Sequence, residues 1–114
     1  MQEKSLASLE ELPEFQSNPF DGRTDVPVHE IARLTYFRAP DTQYQRQETV
    51  SVVGRSNDAN TIYFARESMK MANDSIMAIH SNIGYADREH IIGYEIVIPN
   101  SKLAKSTSQV RELR

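Results

Sequence analysis

The chain has 114 residues, enough for one domain and too few for two independent cores. It contains no cysteine, which excludes a disulfide framework and a thiolate metal site and leaves burial to stabilise the fold. Its net charge of -3 argues against a dedicated duplex-DNA binder, because phosphate neutralisation supplies most non-specific affinity.

The charge is unevenly distributed. Residues 1–26 carry -4, residues 27–99 carry -2 and residues 100–114 carry +3. The first stretch has no basic and then apolar leader pattern, and no apolar run approaches bilayer length, so the expected setting is the cytoplasm with no membrane contact. Leu6, Leu9 and Leu12 offer one or two amphipathic helical turns that Pro13 ends. Asn18-Pro19-Phe20-Asp21-Gly22 and Pro27 are turn formers, so 14–26 reads as a linker and 1–26 as a largely irregular acidic arm.

Residues 28–38 alternate as a strand, with Val28, Ala32, Leu34 and Tyr36 on one side and His29, Ile31, Arg33, Thr35 and Phe37 on the other. Pro40 and Asp41 break it. Residues 47–55 form a second strand, β-branched and alternating, with Gly54 marking a bulge or its end.

Next, Ile62, Ala65, Met69, Ala72, Ile76, Ile79 and Ile83 recur at spacings of three and four, which predicts an α-helix over about 61–82 ended by Asn82 and Gly84. A rival reading pairs Thr61-Ile62-Tyr63-Phe64 as a strand with 47–55 and starts the helix near Glu67. Residues 90–99 form a third strand, in which Gly93 sits at a bulge or close approach and Pro99 is the stop. The adjacent Ile91 and Ile92 require either two covered faces or a bulge that re-phases the alternation. The expected fold is α+β, in the order β-β-α-β, with one long helix on one face of a mainly antiparallel sheet in residues 27–99 and flexible tails either side. Residues 100–114 read as a basic tail.

Chemistry-bearing residues are sparse. With a helix antiparallel to the last strand, His80 and His90 fall at one end of the domain beside Glu89, Arg88 and Tyr85, the parts of a metal-independent nuclease in which one imidazole takes a proton and the other returns it. Any chain with three histidines and 16 acids offers such a neighbourhood, so no catalytic site is expected. The histidines lack metal-ligand spacing, the four glycines form no phosphate loop, and no serine lies in a GxSxG setting, so neither metal nor cofactor is expected.

Arg33, Tyr36, Arg38 and Arg46 interleave bases with aromatics and make a candidate face for RNA or single-stranded nucleic acid. Met71 lies off the helical stripe and suggests a second apolar face, hence a protein contact or a homodimer. The reading these features support is a small non-catalytic module that binds a protein partner, with nucleic-acid binding and the histidine nuclease as alternatives.

Overall fold

In a computed structural model of the chain the described residues are 2–3, 6–23, 25–37, 43–58, 60–66, 69–72, 75–79 and 83–99. They form ten strands: β1 (Gln2–Glu3), β2 (Glu14–Phe15), β3 (Asp25–Pro27), β4 (Glu30–Phe37), β5 (Gln45–Ser56), β6 (Thr61–Ala65), β7 (Met69–Ala72), β8 (Ser75–Ile79), β9 (Ile83–Asp87) and β10 (Ile91–Ile98). Two short 3-10 turns, Leu6–Glu11 and Arg88–His90, are the only helical elements among them, so the expected long α-helix and the α+β class are both corrected to an all-β fold.

The correction has a physical cause in residues 61–79. Ile62 belongs to one core while Ala65 and Ile76 belong to another, so residues that share a helical stripe on paper point into different interiors. A helix burying that stripe would also leave Phe64 and Ala78 off it, whereas alternating strands bury both completely. β6 pairs with β5 through Val52 opposite Phe64 and Arg55 opposite Ile62, which is the strand pairing of the rival reading. β7 and β8 pair with Ala72 opposite Ser75. That pairing meets the backbone hydrogen-bonding needs of both segments as strands, which outweighs the 3-4 spacing. Met71 therefore lies in β7 opposite Ile76, and the second helix face on which a dimer contact was expected does not exist.

The larger sheet has the order β1-β10-β4-β5-β6-β9, with β2 running parallel to the end of β5. β9 and β10 lie four strands apart in that order, about 19 Å if the sheet were flat. Yet only the three residues of the second 3-10 turn join them, a reach of at most about 14 Å from Asp87 to Ile91. The sheet must curl, and it closes into a partly open barrel. Ala32, Leu34 and Tyr36 of β4, Val50 and Val52 of β5, Ile62 and Phe64 of β6, Ala86 of β9, and Ile91, Tyr94 and Ile96 of β10 fill its interior. Leu9 and Leu12, read from the sequence as part of one or two amphipathic helical turns, are buried in that interior too, in and just after the first 3-10 turn.

A three-stranded sheet, β3-β8-β7, covers part of the outer face. Its Val26, Ile76 and Ala78, with Phe20 and Val28, pack on Ile31, Val53 and Ala65 of the barrel wall. Residues 28 and 29 pass from one sheet to the other: the Val28 amide donates to Ile76 at 3.0 Å and the next amide, of His29, donates to Val52 at 2.8 Å.

Two irregularities set the side-chain phase. The register between β5 and β6 shifts from Val52 to Gly54, so Val52 faces the barrel core and Val53 the second core. Gly54 also lacks the Cβ that would collide with the Phe15 ring and the Pro13 carbonyl, which lets β2 lie against β5. In β10 the shift between Ile91 and Gly93 buries Ile91 and turns Ile92 outward, the re-phasing that the adjacent isoleucines require. No described helix is long and apolar enough to cross a membrane.

Candidate functional site

Among the described residues, those singled out from the sequence do not share one surface. Arg33 and Tyr36 lie on opposite faces of β4: Arg33 points outward and pairs with Glu95 at 3.1 Å, while the Tyr36 ring is buried in the barrel. A stacking platform needs an open ring face, and Tyr36 has none. Arg46 stands across from Tyr36 in the β4–β5 register, and Arg38 lies outside the described residues. His80 lies outside them as well, and with it one half of the histidine pair. His90 is present in the second 3-10 turn, with its ring nitrogens 3.9 Å from Asp87 and 3.8 Å from Glu89, too far for hydrogen bonds.

What the fold does build is a cleft along the barrel seam, where the end of β4 meets β9 and the 3-10 turn. Tyr36, Phe37, Arg66, Tyr85, Ala86, Asp87 and His90 line a cavity of about 150 Å³, room for one side chain.

Its inner wall is a hydrogen-bonded set centred on Glu48, which faces inward from β5 beside Tyr36. The Tyr36 hydroxyl donates to Glu48 Oε1 at 2.7 Å, and Arg66 Nε lies 3.2 Å from both carboxylate oxygens. Arg46 Nε adds a looser contact at 3.5 Å. Arg66 also donates from Nη1 to the Ile83 carbonyl at 3.0 Å, and its guanidinium stacks 5.4 Å above the centroid of the Phe64 ring. Gly84 makes this possible, because a Cβ there would come within 2.7 Å of both Arg66 Nη1 and the Phe64 ring.

Burial, and then the carboxylate its hydroxyl faces, push the Tyr36 phenol above its usual range. Burial pulls on Arg66 in the opposite sense, but Tyr36 and Glu48 more than offset it and hold the guanidinium firmly charged. The set is therefore a hydrogen-bonded strut of neutral phenol, carboxylate and guanidinium that holds β4, β5, β6 and β9 together.

The outer wall differs. Tyr85 projects from β9 with 68% of its surface exposed, and Phe37 is half-buried beside it. Among the described residues β9 is the last strand of its sheet and pairs only with β6, so its second edge carries no described partner. Asp87 and His90 complete the rim. Chemically the cleft offers aromatic surface, a carboxylate and an edge strand's main chain. The described groups show no nucleophile held by a base, the arrangement that covalent catalysis needs.

Sequence reasoning named Tyr36, Arg46, Tyr85, Glu89 and His90 but assigned them to two separate sites. It missed Arg66 and Glu48. Their signal is tertiary: Glu48 precedes the apolar inward residues Val50 and Val52 of its alternating strand, and Arg66 lies within the segment read as helix. Compared with known proteins, the chain matches no family, and neither a curated protein nor a solved structure is significantly similar to it.

Proposed function

We propose that this protein is a non-catalytic binding module that recognises a protein partner through the seam cleft and the adjoining edge of β9. The observation that carries the reading is the contrast between the two walls. The inner charges satisfy one another, whereas Tyr85, a large amphipathic ring of the kind enriched at protein interfaces, stands exposed beside an edge strand. Nucleic-acid binding through Arg33 and Tyr36 gains no such support, since those residues face opposite ways.

The test is affinity capture by the tagged full chain from lysate of its own host, with and without nuclease, run in parallel with Tyr85→Ala. A stoichiometric protein that survives nuclease and is lost with Tyr85→Ala supports the reading. Recovery of nucleic acid alone, or a protein retained equally by the variant, overturns it.

A further inference from the structure

Which partner chemistry suits the cleft follows from the charges around it. Among the described residues Arg66 is the guanidinium in its lining, and its Nε and Nη1 are already engaged by Glu48 and the Ile83 carbonyl. The carboxylate of Asp87 is not answered in this way: the imidazole of His90 stands 3.9 Å away, and Asp87 also lines an adjoining hollow with Asn60 and Glu89, whose carboxylate is 81% exposed. Asp58 lies next to that hollow, since its carboxylate accepts from the Asn60 amide at 3.1 Å. Arg88, between Asp87 and Glu89 in the chain, is turned to Glu10 at 3.2 Å. Among the described residues the rim thus carries a surplus of carboxylates, around a pocket whose accessible rings are the exposed Tyr85 and the half-buried Phe37.

Resting on the binding-module reading above, we propose that the cleft receives the cationic side chain, lysine or arginine, of an extended partner segment that lies along the edge of β9. Three features combine in this assignment. Aromatic rings attract a cation through their electron-rich faces, an effect that grows as water is excluded. Asp87 supplies the counter-charge at the mouth, and the more exposed Glu89 and Asp58 steer a basic segment toward it. The edge of β9 that pairs with no described strand supplies main-chain donors and acceptors for the backbone of the segment, so that alternate side chains face the cleft. The volume of about 150 Å³ suits one side chain. An acidic segment or a phosphate would have to approach through the carboxylates to reach an arginine whose Nε and Nη1 are already engaged.

The experiment uses the full chain and three fluorescein-labelled, end-capped hexapeptides: hexalysine, hexaglutamate and hexaserine. Binding is followed by fluorescence anisotropy at low and physiological salt, and binding sites are mapped by amide chemical shifts. Hexalysine is expected to bind, with shifts centred on residues 83–90, and to weaken about tenfold in each of Tyr85→Ala and Asp87→Asn, whose melting temperatures stay near that of the parent. Equal binding of hexaglutamate, binding of hexalysine that neither variant weakens, or shifts located elsewhere overturns the proposal. Should lysate capture return a partner lost with Tyr85→Ala while hexalysine does not bind, the cationic assignment fails and the binding-module reading stands. If both fail, the cleft is not a recognition site.

Discussion

The two cores of this molecule are held in different ways. In the barrel, side chains hydrogen-bond across the interior: Tyr94 donates to the buried Glu30 at 2.8 Å, and the Tyr36–Glu48–Arg66 set braces the seam. Around the second core, apolar packing of Phe20, Val26, Ile76 and Ala78 is joined to the barrel by main-chain bonds at residues 28 and 29. Buried polar pairs tolerate few arrangements, because a group left unpaired costs about 1–3 kcal/mol, whereas apolar contacts accept many. The barrel interior therefore fixes register and shape, and the small sheet adds burial to a wall whose shape is already set.

The largest effects should separate the cores. Phe64→Ala removes a fully buried ring from the barrel and should cost about 3–5 kcal/mol, with hydrogen-exchange protection falling across β4, β5, β6 and β10 together. Phe20→Ala removes a comparable ring from the second core. Its protection losses should begin in β3 and β8 while the barrel strands stay protected, and a uniform loss in both variants would break the distinction.

Gly54→Ala places a methyl group where the Phe15 ring and Pro13 carbonyl now lie. It should cost about 1–3 kcal/mol by displacing β2, seen as lost protection at the Arg55 amide, which donates to Pro13 at 2.9 Å.

Tyr94→Phe deprives the buried Glu30 of a donor and should cost about 1–3 kcal/mol at neutral pH. The same residue gives the barrel an alkaline weakness. Burial, with Glu30 second, raises the folded-state pKa of Tyr94 far above its ordinary value of about 10, so its contribution is complete below pH ~10. Above that the unfolded state loses its phenolic proton first, and stability falls by about 1.4 kcal/mol per pH unit. Denaturant titrations between pH 9 and 11 should show this slope reduced in Tyr94→Phe. The smallest effect belongs to the outer face, where Arg33→Ala breaks a half-exposed ion pair with Glu95 and should cost about 0–1 kcal/mol in chemical denaturation.

Much of the barrel can be read from alternation alone. Ala32, Leu34 and Tyr36 share a face as their period of two requires, and the adjacent Ile91 and Ile92 announce the bulge in β10. Periodicity fails where the chain serves two interiors. β6 sends Ile62 and Phe64 into the barrel and Ala65 to the second core, and Ile76 and Ala78 reach that core from another hairpin, so a stripe with helical spacing emerges from residues divided between two interiors. The seam cleft is harder still to foresee. It joins residues 36–37 to residues 85–90 through closure of the barrel, and its strut depends on Arg66 lying over Gly84. Single aromatic or charged residues can be noticed in a sequence, but their convergence requires the register of every strand between them.

The most direct test of this account is a nuclear Overhauser survey of residues 61–87 in the full chain, because the seam cleft and the second core both depend on strands there. The account predicts cross-strand contacts between Phe64 and Gly84, Ile62 and Ala86, and Val26 and Ala78, with strong sequential α-proton to amide contacts along β6 and β8. A continuous run of contacts between residues three apart from 61 to 82, without those cross-strand pairs, would restore the helix and remove both the second core and the cleft.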